Sequence, residues 1–137
     1  MSAAVERAVE IAKAKGAKRA MLLPVSAPFH CALMAPAATV MAEALDDVAM
    51  QAPAVPLVAN VTASAVSDPL TIRSLLVEQV TGSVRWRESV AWMGAQGVTE
   101  IWEIGAGKAL SGMVRRIDKE IACRAIKTAR KMGIKTV

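Results

Sequence analysis

Short apolar runs alternate along this chain with stretches of helical periodicity, and glycine or proline punctuates most of the junctions. That alternation points to an α/β fold, because strand–helix–strand segments pack as layers with parallel pairing. Val5, Ala8, Ile11 and Ala12 recur at helical spacing and predict a helix over residues 3–15. Gly16 ends it, with Lys13 and Lys15 suiting the negative end of its dipole. Residues 19–25 read as a short strand, and 26–30 as a loop, since Pro28 cannot pair regularly. Leu33, Ala37, Val40, Met41, Ala44, Leu45 and Val48 form the apolar face of a helix over 32–49, with Pro36 in its first turn.

Residues 55–61 predict a second strand flanked by Pro53 and Pro56. A turn-rich stretch then leads to Asp68-Pro69, a good N-cap and first position for a helix over 70–80. A helix over 86–96 stops at Gly97, and 98–104 reads as a strand. Gly105-Ala106-Gly107 turns the chain into a helix over 108–117. The periodicity predicts a last helix over 120–132, stopped by Gly133, and the start of a strand over 134–137.

The 137 residues form one domain's worth of chain, and 54% of them are hydrophobic against 21% charged, a balance that disfavours disorder. No apolar run approaches the roughly 18 residues of a membrane-spanning helix. Residues 1–15 are amphipathic and charged, without a signal peptide's apolar region. Cys31 and Cys123 make neither a metal spacing nor a disulfide framework, which favours a cytoplasmic protein without a metal. The net charge of +5 is uneven. Residues 1–118 hold eleven basic and eleven acidic side chains, whereas 119–137 hold six basic and one acidic. A neutral body gives no reason to expect nucleic acid.

His30, the only histidine, follows Pro28-Phe29 at the opening of a helix. An imidazole there can be held by the backbone through one nitrogen while the other faces a cleft and exchanges a proton near neutrality. On position alone, a structural or capping histidine is the commoner role. Cys31 is a poor partner for it, because adjacent helical residues do not face each other. Gly105-Ala106-Gly107-Lys108 lacks the spacing of a phosphate loop and the Ser or Thr that must follow the lysine.

The string Pro24-Val25-Ser26-Ala27-Pro28-Phe29-His30-Cys31-Ala32-Leu33-Met34 resembles the histidine motif of malonyl-CoA:acyl-carrier-protein transacylases and related acyltransferase domains. The resemblance continues through Pro53-Ala54-Val55-Pro56-Leu57-Val58-Ala59-Asn60-Val61, Leu76-Val77-Glu78-Gln79-Val80 and Val84-Arg85-Trp86. It runs on to Gly97-Val98 and from Glu103 to Gly112, and covers about residues 3–118. It implies the C-terminal part of the acyltransferase fold. Residues 3–25 would be the last helix and strand of a ferredoxin-like small subdomain, and 26–118 part of an α/β-hydrolase-like large subdomain.

The resemblance also implies a chemistry. A serine in a Gly-His-Ser-Leu-Gly elbow takes malonyl from coenzyme A and passes it to the phosphopantetheine thiol of acyl carrier protein, in fatty-acid synthesis. His30 would be the general base, and Gln79 would hold it through its main-chain carbonyl, where an aspartate stands in the serine–histidine–aspartate triad. Phe29 would mark selectivity for malonyl, its ring crowding a substrate α-methyl group. Malonyl-CoA would be the substrate, with no further cofactor.

The chain departs from that pattern in one respect that bears on activity. None of its eight serines, Ser2, Ser26, Ser64, Ser67, Ser74, Ser83, Ser89 and Ser111, sits in a Gly-x-Ser-x-Gly elbow. The oxyanion-hole segment and the family's malonyl-binding arginine have no counterparts either, so catalysis by these residues alone is not expected. Residues 120–137 resemble instead the N-terminal helix and strand of a biotin carboxylase domain, which makes 119–137 a foreign basic tail joined near Asp118–Glu120. Three functions follow as expectations. One is a malonyltransferase segment that needs its serine from elsewhere, and another is a non-catalytic α/β module that associates with itself or other proteins through exposed edges. In the third the basic tail binds anionic surfaces, although a basic cluster on a short helix is more often a solvated face.

Overall fold

The computed structural model describes residues 2–22, 25, 27–105 and 107–126. Helix α1 spans Ser2–Ala14, and a single 3₁₀ turn, Ala32–Met34, leads into α2, Ala35–Asp46. Two short strands follow, β1 (Leu57–Val58) and β2 (Ala65–Val66), then α3 (Pro69–Thr81), α4 (Trp86–Ala95), β3 (Glu100–Ile104), α5 (Ala109–Ile117) and β4 (Ala122–Ile126). The layering is α/β, with β1 and β2 antiparallel and β3 and β4 parallel. Among the described residues no helix is long and apolar enough to cross a membrane.

Local chemistry sets most of these boundaries. Asp68 caps α3 by accepting from the Thr71 backbone N–H at 2.7 Å and from its hydroxyl at 2.6 Å. Both bonds hold the Asp68 carboxyl below the usual carboxylate range, the hydroxyl contributing most. Pro69, at the first helical position, has no N–H to leave unpaired. Gly97 closes α4 at a φ of +83°, where a Cβ would be strained. Helix α2 packs on α3, α4 packs on α5, and α5 covers one face of the β3–β4 sheet.

The deepest packing lies under α4 and α5. Val90 and Val114 are fully buried, Ile121 nearly so, and Trp86, Met93, Ile101, Ile117 and Cys123 pack around them. On the opposite sheet face Trp102 is 45% exposed and Ile104 64%. Parallel strands are ordinarily covered on both faces.

Three sequence expectations are corrected. The helix expected over 120–132 does not form in its described part, where Ala122–Ile126 is a strand paired with β3 from Glu100↔Ala122 to Ile104↔Ile126. Ile121, Cys123 and Ala125 lie on one side at a spacing of two, and the β3 edge supplies backbone partners that outweigh the helical reading. Residues 127–137, including the expected stop at Gly133 and the last strand, lie outside the described residues. No strand forms in the described part of 19–25, and among the described residues no strand lies beside it. The strand expected over 55–61 shrinks to Leu57–Val58. Pro56 cannot donate to a ladder, and Ala63, at a φ of +53°, turns the chain back with its N–H on Ala59 O at 2.8 Å.

Candidate functional site

The last four carbonyls of an α-helix have no partner within the helix. In α3 the Glu78 carbonyl takes the Gly82 N–H at 2.9 Å. The next carbonyl, that of Gln79, receives the His30 Nδ1 at 2.9 Å, across 49 residues of sequence. A carbonyl can only accept, so this bond fixes Nδ1 as the protonated nitrogen and leaves the Nε2 lone pair free.

The backbone at His30 is unusual as well. Its φ is +58°, in the left-handed region that few side chains other than Gly, Asn, Asp and His enter readily. Residues held there cluster at functional sites. The ring is exposed, and so is the neighbouring Phe29, at 54%. Cys31 donates its thiol to Pro28 O at 3.1 Å, so its described hydrogen bond runs away from the imidazole.

Of the expected site residues, the structure therefore brings His30 and Gln79 together and sets Phe29 beside them in sequence, facing outward. It adds one that the sequence reading passed over. Asn60 Nδ2 donates to Gln79 Oε1 at 3.0 Å, in half-buried surroundings. Asn60 falls within the 53–61 string that resembles the transacylases, but its own side chain signals only an amide at the end of an apolar run, which ordinarily marks a turn. Among the described residues no group of three or more His, Cys, Asp or Glu side chains could hold a metal ion.

Several known proteins share this arrangement of elements. The acyl-carrier-protein S-malonyltransferase of Bartonella henselae superposes with a TM-score of 0.86 at 58% identity, over 95% of this chain and 41% of that one. Among curated proteins, the malonyl CoA-acyl carrier protein transacylase of Salmonella typhimurium is 46% identical over 123 residues, 90% of this chain and 40% of that protein. The chain is related to the malonyl CoA-acyl carrier protein transacylases. The transacylase of Bacillus subtilis is 43% identical over 122 residues, 89% of this chain and 38% of that protein. A malonyl-transacylase solved in complex with a type II PKS acyl-carrier protein matches with a TM-score of 0.84 at 42% identity, over 94% of this chain and 42% of that one. The chain thus spans about 40% of the length of the transacylases it matches. No family model matches it.

A single carboxylate stabilises the β3–α5 turn. Lys108, at the N-cap of α5, makes no capping bond with its side chain. Glu103 of β3 replaces it: its carboxylate accepts the Ser111 hydroxyl at 2.5 Å, the Ser111 N–H at 2.8 Å and the Leu110 N–H at 3.2 Å. The Ser111 hydroxyl first, then the backbone N–H groups, hold the Glu103 carboxyl below the usual range. A lowered folded-state value means that the ionised form stabilises the fold above the ordinary glutamate range, and that this is lost as pH falls through the lowered value. The urea midpoint should therefore fall as the pH drops below the ordinary glutamate range. In Glu103→Gln that drop should be smaller, with a lower midpoint at neutral pH. Equal slopes for the two proteins would show that Glu103 does not cap α5.

Proposed function

We propose that this chain is the histidine-bearing part of a malonyl-CoA:acyl-carrier-protein transacylase, with His30 as the general base. The observation that carries the reading is the bond from His30 Nδ1 to the Gln79 carbonyl, which leaves Nε2 unprotonated. In this reading Nε2 takes the proton of a serine hydroxyl as its Oγ attacks the malonyl thioester. The proton then goes to the departing thiolate of coenzyme A. In the second half-reaction the same nitrogen deprotonates the phosphopantetheine thiol of acyl carrier protein and returns the proton to the serine. Gln79 orients the ring with a neutral dipole in place of a carboxylate.

The transacylase relatives support the substrate and the carrier protein. Malonyl-CoA is then the substrate, and no cofactor is assigned. Phe29 opposes an α-methyl group on the acyl chain, an effect of about 1–3 kcal/mol for one methyl. The serine comes from outside these 137 residues, because none of theirs lies in an elbow. Incubation with radiolabelled malonyl-CoA tests the assignment. The purified chain should retain no label, and the chain joined to a segment bearing a Gly-His-Ser-Leu-Gly elbow should retain it and pass it to acyl carrier protein. Label on the chain alone would place the nucleophile within it and overturn the reading.

A second reading, self-association without catalysis, is favoured by the exposed apolar side chains of Trp102 and Ile104. Sedimentation velocity separates the two: a monomer that supports malonyl transfer once joined to the elbow segment excludes the second reading.

A further inference from the structure

Gln79 sits in the final turn of α3, where helices fray. A carbonyl in a fraying turn is a poor fixed point for a catalytic imidazole. Two features hold this turn in place. Gly82 brings the end of α3 against the 59–63 turn so closely that a Cβ there would lie 2.8 Å from Val61 Cγ1 and 3.0 Å from the Glu78 carbonyl oxygen. One residue away, Asn60 Nδ2 meets Gln79 Oε1 at 3.0 Å.

Asn60 is itself anchored. Its carbonyl accepts the Arg85 N–H at 2.9 Å, at the start of α4, and the adjoining Ala59 N–H bonds Ser64 O at 3.1 Å. The two amides help line a hollow of about 110 Å³, with Leu57, Val58, Ile72, Leu75 and Leu76. The bond between the two amides is part-buried, so it is partly shielded from competing water. Gln79 is thereby held twice, by its side chain to Asn60 and by its main chain to His30.

We propose that Asn60 is a positioning residue for His30: by clamping the Gln79 side chain it fixes the Gln79 carbonyl, and through it the Nδ1–H tautomer of the imidazole. This rests on the reading of His30 as the base. None of the described hydrogen bonds joins Asn60 to the imidazole; it acts through the last turn of α3. The role is independent of which oxygen the base deprotonates, so it can be tested on the full chain without its catalytic partner.

The test is the pair of imidazole nitrogen shifts of His30 in ¹⁵N-labelled protein at a pH where the ring is neutral. In the wild type the Nδ1 and Nε2 shifts should be well separated, with Nδ1 protonated. Asn60→Leu removes the clamp while its side chain suits the aliphatic residues that line the hollow, and the separation should shrink to less than half as the tautomers mix. Asn60→Asp keeps a bond, because the Gln79 amide can turn over and donate to the new carboxylate, so its separation should stay near the wild-type value. Asn60→Ser, too short to reach Gln79, is the second test should the leucine variant fold poorly, and it should behave as expected for leucine. Wild-type shifts that are already averaged, or a folded Asn60→Leu or Asn60→Ser protein with unchanged shifts, would overturn the proposal. Failure of the base assignment reads differently: the nitrogen shifts would respond as described, while removing the imidazole would leave malonyl transfer intact.

Discussion

Val114→Asp is expected to leave the chain without a cooperative unfolding transition. Val114 is fully buried in α5, and it packs with Val90 of α4 and Ile121 just before β4. These three side chains join the helical layer to the parallel strands. A carboxylate placed among them has no cation within the cluster, whose other members are Trp86, Met93, Ile101, Ile117 and Cys123. Burying an unpaired charge costs several kcal/mol even after relaxation, and a domain of this size has only about 5–15 kcal/mol in total. Protonation of the new aspartate would soften the loss without removing it, since the neutral acid still lacks a partner. Val114→Ala separates charge from volume: it deletes two methyl-equivalents and should lower stability by about 1–3 kcal/mol while keeping a cooperative transition. Met113→Asp, one residue earlier and 40% exposed, should change stability by less than about 1 kcal/mol. Urea denaturation followed by circular dichroism measures all three. Equal midpoints for the two aspartate variants would mean that the α4–α5 cluster is not the core of the molecule.

The elements that could be read from sequence are those whose ends are written locally. Asp68 and Pro69 specify the start of α3 within two residues, and the structure begins the helix at Pro69. Gly97 likewise ends α4 because only the chain's own conformation is involved. Strand β4 was not legible for the opposite reason. Ile121, Ala122, Ala125 and Ile126 satisfy helical spacing, while Ile121, Cys123 and Ala125 satisfy a spacing of two. Only the free edge of β3, about twenty residues earlier, selects the second pattern, and that edge is a tertiary fact. The run at 19–25 shows the converse, since apolar residues with strand propensity form no strand in their described part, where no neighbour offers a ladder.

The same division holds for the site. His30 could be singled out from its own loop, because an imidazole after Pro28-Phe29 is a local feature. Its partner is a main-chain carbonyl 49 residues away, and a carbonyl has no residue type by which to recognise it. Gln79 was reached through resemblance to the transacylases, and nothing in its own side chain required that choice. Asn60 stayed hidden because its side chain serves Gln79 rather than the imidazole. Glu103 was hidden similarly: its role as the cap of α5 depends on a strand-to-helix turn in which Gly105 and Gly107 both take positive φ.

Replacing the imidazole should then separate catalysis from folding more cleanly than any other change. His30→Asn is expected to reduce malonyl transfer by about a thousandfold or more when the chain is joined to a segment that supplies the serine elbow, since removal of a triad's base costs several powers of ten. Asparagine tolerates the left-handed backbone at φ +58°, so the loop keeps its path. Its amide can still donate to a carbonyl, but it has no nitrogen lone pair able to take a proton near neutrality. Stability should therefore stay within about 1 kcal/mol of the wild type, the net worth of one exposed hydrogen bond. His30→Ala should lose the same activity and somewhat more stability, because alanine adds a left-handed strain and leaves the Gln79 carbonyl to water. Transfer of label to acyl carrier protein gives the rate, and the urea midpoint of the unjoined chain gives the stability. Transfer in His30→Asn within about tenfold of the wild type would remove the imidazole from the mechanism. The bond to Gln79 would then be a structural tie between the 27–31 loop and the end of α3.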